Sequence, residues 1–349
     1  MKNTKSILTI LCLLLAVTTL FCACSPAGSN GDITTNAASE TETEAPIVID
    51  TELEIKISVL NGTTGFGAAQ IMNNAKDNKA VLNYKFTVET DASNITAGLI
   101  NGSIDIAALP TNAAATVYNK TGGEIQIAAI NTLGVLYLMA NGEKVTVNDI
   151  KDLEGKTVYC PAQNPAFIFE AICRANGLIP GENITIDTAF AQPADLRTAL
   201  AAGQVDIAVL PEPMVTIAKN ANAALVTALD LTAEWEAVYG ENSLVQGCIV
   251  VRTEWAKAHP HELGIFLAEY KNSIDFTNNS TAEAAQMIAD LGIFAQAPIA
   301  QKAIPNCNIV YMDKADMAAA LDVFFAKLYS VNPASVGGTL PDSNIYYGK

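Results

Sequence analysis

Few residues in this sequence have the types and spacing that covalent chemistry needs. The two histidines, His259 and His261, fall in Ala-His-Pro-His-Glu at a predicted helix start. An H-x-H pair binds a metal weakly, and a surface helix cap is the plainer role for it. No G-x-S-x-G nucleophile elbow is present. Gly155-Lys156-Thr157 copies the tail of a phosphate loop, but it lacks the upstream glycine and leads into a strand. The cysteines show no C-x-x-C or zinc spacing. The expectation is therefore a protein that is not an enzyme, with no catalytic set, no metal and no cofactor.

Polar and aromatic residues gather instead where apolar runs end. Asn61, Thr63, Thr64 and Phe66 lie in Asn61-Gly-Thr-Thr-Gly-Phe-Gly67. Glycines there would let backbone N–H groups approach a ligand at a helix start, although a plain N-cap turn has the same composition. Thr111 and Asn112 follow one proline, Asn131 and Thr132 break a long apolar run that continues to Tyr137, and Gln163, Asn164 and Phe167 open a helical stretch. Glu212 lies between Pro211 and Pro213. A rigidly held carboxylate would accept hydrogen bonds from an amine or amino-heterocycle, and the alternative is a solvated loop glutamate. Of the few arginines, Arg252 alone falls near a predicted strand end, so no bidentate clamp for a sulfonate or phosphate stands out. These types imply hydrogen bonding and ring stacking to a small neutral or amine-bearing solute.

The elements that must position these groups come in a duplicated order. Gly102-Ser-Ile-Asp-Ile-Ala-Ala-Leu-Pro110 recurs as Gly203-Gln-Val-Asp-Ile-Ala-Val-Leu-Pro211. Each copy reads as a helix stop at glycine, a buried strand and a proline boundary. Strands at Ile55–Leu60 and Lys156–Cys160 precede them, then Tyr84–Glu89 and Ile184–Phe190, with helices at 91–101 and 193–202. Two β-α-β-α-β units follow, giving an α/β fold of two lobes, each a mixed, mostly parallel sheet flanked by helices. Lobe 1 is read as 53–142 plus 244–349 and lobe 2 as 143–243, so two crossings form a hinge. Ligands sit outside the carboxyl ends of such strands and at domain interfaces. Asp105 and Asp206, one per lobe at a strand entry, are read as structural caps. Asn148 is read as the N-cap of a short helix ending at Gly155.

The 349 residues suit two domains, and the formal charge of −16 argues against a nucleic-acid binder, which needs a basic stripe. Residues 1–23 read as a secretory signal, with Lys2 and Lys5 before an apolar stretch and Ala23 before Cys24. Residues 24–52 are poor in large apolar groups and read as a disordered tether. Of the cysteines beyond the leader, Cys160 and Cys173 read as buried thiols, and a Cys248–Cys307 bridge stays open.

Taken together, Gly98–Asn112 (GLINGSIDIAALPTN), Ala129–Tyr137 (AINTLGVLY), Asp149–Val158 (DIKDLEGKTV), Gly203–Pro213 (GQVDIAVLPEP) and the Ala23-Cys24 junction resemble a known family. It is the nitrate/sulfonate/thiamine-precursor branch of ABC-transporter substrate-binding lipoproteins, with the type II periplasmic-binding-protein fold. The resemblance covers about 53–330. It implies lipidation at Cys24 and a monomer anchored to the outer face of the bacterial cytoplasmic membrane. It also implies a permease and its ATPase as partners, and ligand contacts from the loops named above. The expected ligand is an amine-bearing or aromatic heterocycle of the thiamine-pyrimidine type. The alternatives are a nitrate-, sulfonate- or taurine-type anion, or an enzyme of the pyrimidine-synthase type on the same fold.

Overall fold

The computed structural model describes residues 49–349. The leader, Cys24 and most of the tether lie outside the described residues. Eleven strands and thirteen helices follow in order. The first unit runs β1 (Ile55–Leu60), α1 (Thr63–Phe66), α2 (Ala69–Lys76), β2 (Tyr84–Glu89), α3 (Ala92–Asn101), β3 (Ile106–Pro110), α4 (Thr111–Thr121) and β4 (Ile125–Thr132). The second runs β5 (Leu136–Asn141), β6 (Thr157–Tyr159), α5 (Asn164–Ala175), β7 (Thr185–Asp187), α6 (Pro193–Ala201), β8 (Ile207–Pro211), α7 (Met214–Ala221), β9 (Leu225–Asp230) and α8 (Leu231–Tyr239). The chain then adds β10 (Gly247–Arg252), α9 (Thr253–Ala258), α10 (Pro260–Asn279), α11 (Thr281–Asp290), α12 (Ala297–Ala303), β11 (Ile309–Met312) and α13 (Lys314–Val331).

The duplication holds at the level of the sheets. One has the order β11-β4-β10-β3-β1-β2 and the other β7-β6-β8-β5-β9. Read from the β2 and β7 edges, the two share one plan: the three strands of the β-α-β-α-β unit, then a strand from a crossing, then the unit's last strand. The first three run parallel, as helical crossovers require, and the crossing strands β10 and β5 enter antiparallel. The repeated strands are buried along nearly their whole length, consistent with their unbroken apolar sequence.

Four readings change. The apolar run from Ile125 to Ala140 is two strands in two sheets: β4 pairs with β10, whereas β5 pairs with β8 and β9. The chain thus changes sheets across Leu133–Val135, earlier than the boundary read at 142. The change falls at the polar break of Asn131-Thr132 and Gly134, and at Gly134 a Cβ would collide with Thr232 Oγ1. Asp149, not Asn148, caps the short turn at Ile150–Leu153, through a reciprocal box with Asp152. Cys248 and Cys307 are free thiols, as are Cys160 and Cys173, and all four are buried. Burial pushes the Cys173 and Cys248 thiols up to about 12 and raises those of Cys160 and Cys307 well above the ordinary thiol value, so all stay neutral and unreactive. Phe66 is fully buried, its ring edge-on to Phe294 in the core beneath the first sheet. Burying it stabilises the fold by about 1.5–3 kcal/mol and leaves no face for a ligand.

Candidate functional site

The predicted residues divide into three groups. The first borders neither of the two cavities described below. Asn131 donates from Nδ2 to Thr64 O (2.9 Å) and meets Tyr270 Oη (3.0 Å), while Thr132 Oγ1 reaches Asn131 Oδ1 (3.2 Å). Both are almost fully buried, so they tie the end of β4 to α1 and α10. Thr63 and Thr64 are half-buried at α1, and Asn61 is exposed before it. Thr111, buried at the start of α4, has no partner for its Oγ1 beyond the soft thiol of Cys248. Asn164 Oδ1, at the start of α5, is likewise buried and unpaired.

The second group converges. Asn112, Gln163 and Phe167 line one cavity of about 590 Å³. Asn112 comes from the first turn of α4, which follows β3 in the first sheet. Gln163 and Phe167 come from the start of α5, which follows β6 in the second. The wall is mainly apolar, from Ala97, Ile100 and Val117, with Lys120 at the edge. Gln163 holds φ 66° and ψ −128°, a strained conformation for a residue with a side chain. The loop is fixed in it by Cys160 N–H donating to Asp187 O and Ala162 N–H to Ala191 O (2.9 and 3.1 Å). Sequence reading missed the wall residues Ser93 and Thr96 on α3 and Asn332 and Ser335 near the C-terminus. Ile100, a large apolar residue exposed on α3, was the available signal.

The third group, Tyr137 and Glu212, lies in a different cavity of about 410 Å³. Glu212 is 3 % exposed. Its carboxylate accepts from Thr216 N (3.1 Å) and Thr216 Oγ1 (2.9 Å), and Asn306 Nδ2 lies 3.5 Å away. It caps α7 rather than standing free for an amine. Burial pushes its carboxyl up, against those hydrogen bonds and the charge of Lys219. Tyr137 donates from Oη to Asn306 O (2.8 Å), and burial, with Asp230 and Glu212 nearby, pushes its phenol up.

The strand-entry aspartates are structural. Asp105 accepts from Lys56 N (3.0 Å) and faces Arg252 (3.5 Å), whereas Asp206 pairs with Lys144 (2.8 Å). His259 packs against Trp255 at the start of α10, and neither histidine borders these two cavities. No group of three or more His, Cys, Asp or Glu among the described residues is placed to hold a metal.

The sequence model of the family described as NMT1/THI5 like matches residues 79–284, more than half of the chain. The chain belongs to that family. Solved structures with the same architecture add to this. An ABC transporter protein from Parabacteroides distasonis is 26% identical, with a TM-score of 0.72 over 86% of this chain and 100% of that one. The periplasmic aliphatic sulphonate binding protein SsuA from Escherichia coli is 15% identical (TM-score 0.66, 84% and 95% covered). The ligand-binding component of an ABC-type import system from Staphylococcus aureus is 14% identical (TM-score 0.61, 85% and 99% covered). The last two share the periplasmic-binding-protein fold with this NMT1/THI5-like chain. No curated protein matches it.

Proposed function

We propose that this NMT1/THI5-like protein is the extracytoplasmic solute-binding component of an ABC importer. It captures a small molecule between its two sheets and delivers it to a membrane permease and its ATPase. The carrying observation is the 590 Å³ cavity, to which α4 from one sheet and α5 from the other both contribute their first turns. A solute touching both sheets favours the arrangement in which they approach, and only that difference in affinity can shift the equilibrium toward closure. Likeness to the Parabacteroides transporter protein over the whole of that chain supports the transport role. Cys24 after Ala23 supports a lipid anchor on the outer face of the membrane, with the protein acting as a monomer.

The wall favours an uncharged or amine-bearing aromatic heterocycle. Phe167 offers a ring face, Asn112 and Gln163 offer amides, and the aliphatic lining excludes water from a flat solute. The lining supports binding rather than catalysis: it carries Ser, Thr and Lys side chains but no His, Asp or Glu to activate them. Thermal denaturation of the full chain with pyrimidines, amines, sulfonates and nitrate tests this, since a ligand that binds the folded state raises its melting temperature. A pyrimidine-type solute should raise it, and Phe167→Ala with Asn112→Ala should remove the rise. Turnover of any compound without a rise would replace binding with catalysis.

A further inference from the structure

The smaller cavity has a chemistry of its own. Its floor is Tyr137 and Glu212, and its rim carries Lys219 and Asn220 from α7 together with Lys302 and Asn306 from α12 and the turn after it. Helix α7 belongs to the second sheet's layer, packed on α6, β8 and β9, whereas α12 packs on α11 in the first. The cavity therefore lies on the seam between the sheets. Tyr137 Oη donating to Asn306 O already crosses that seam, and Asn306 Nδ2 faces Glu212 across it.

The rim is made of donors. It has two ammonium groups and two side-chain amides, and Thr227 adds a hydroxyl. Among the described residues neither Lys219 nor Lys302 has a carboxylate within ion-pair distance. Each lies in the last turn of its helix, where a lysine ordinarily complements the helix dipole. What sets this pair apart is that both border one cavity and arrive from opposite sides of a seam. Glu212 on the floor feels the charge of Lys219 but makes no ion pair with either lysine, and its oxygens accept from Thr216. In a chain of net charge −16, two unpaired cations at one cavity form a local exception to the field.

We propose that this seam binds a small dianionic acid that bridges Lys219 and Lys302 and so holds the two sheets together. Each acid oxygen replaces water on an ammonium or amide donor, and a charge of two satisfies both lysines at once. A monoanion neutralises only half of that charge. The site is separate from the larger cavity and independent of which solute fills that one.

Isothermal titration of the full chain at low ionic strength tests the proposal, with succinate and inorganic phosphate as dianions and acetate as the monoanion. Saturable binding of at least one dianion is expected, at least tenfold tighter than acetate and weakened by added salt. Lys219→Met and Lys302→Met should each weaken it at least tenfold, and the double variant should abolish it. Lys219→Arg should retain it, which separates loss of charge from loss of fold. Asn112→Ala, in the larger cavity, should leave it unchanged. Absence of saturable binding by both dianions, or a double variant that binds like the parent, overturns the proposal. So does loss of dianion binding in Asn112→Ala, which would place the anion in the larger cavity.

Discussion

The ends of β3 and β8 are built from nearly the same nine residues and do opposite things. Both strands begin after a left-handed glycine, both are buried, and both lie against an antiparallel strand from a crossing. After Pro110, α4 starts at once, leaving the Thr111 hydroxyl unpaired and Asn112 facing the larger cavity. After Pro211, Glu212 turns back onto Thr216 and closes the start of α7 on itself. The repeat thus fixes where a strand ends, and the residues just beyond it decide whether that end borders the larger cavity or seals a helix. Duplication supplied the frame twice, and the chemistry diverged at positions outside the repeated motif.

That equivalence of frame and difference of chemistry can be separated by substitution. Leu109 and Leu210 occupy matching positions and are fully buried. Leu109→Ala and Leu210→Ala should each destabilise the protein by about 2–5 kcal/mol, and by similar amounts, in denaturant unfolding. A large inequality would show that one sheet carries most of the stability. The aspartates of the motif should behave unequally. Asp105→Ala strands Lys56 N and Arg252 and should cost about 1–3 kcal/mol. Asp206→Ala breaks only a pair whose side chains are 41% and 50% exposed, and should cost about 0–1 kcal/mol.

The frame was legible because periodicity and glycine placement act locally. β1, β2, β3 and β8 need only their own apolar runs and stops to be seen. The change of sheet between β4 and β5 was harder, since one apolar run crosses it and only pairing partners tell the halves apart. The loops of the larger cavity were read from their amides, giving Asn112, Gln163 and Phe167. Glu212 was misplaced for a physical reason: a carboxylate between prolines looks free in sequence, and only the fold brings Thr216 back to it. Lys219 and Lys302 could not be paired in sequence, because a seam between helices of two sheets has no local signature.

Glu212 and its cap give the next contrast in size. Its carboxyl is raised above the ordinary 4.5 by burial. The folded state therefore holds its proton more tightly than the unfolded chain does. The associated stability is fully present below 4.5 and is lost as pH rises from there through the raised folded value. Glu212→Gln should flatten that part of the pH–stability curve, read from urea midpoints between pH 4 and 8, and should leave solute binding in the larger cavity intact. A curve of unchanged slope would mean the carboxyl titrates as in the unfolded chain.

The smallest effect on stability is expected at Thr111, and it is the most informative for function. Its hydroxyl is buried beside only a weak thiol partner. Valine keeps the branched shape and removes a polar atom that gains little from its surroundings, so Thr111→Val should change stability by no more than about 1 kcal/mol, in either direction. A hydroxyl kept dry without a good partner is explained if a bound solute supplies one. The same variant should then weaken solute binding several-fold while its unfolding midpoint hardly moves. Should both binding and stability stay unchanged, the end of β3 would be as sealed as the end of β8, and the contrast between the two would rest on Asn112 alone.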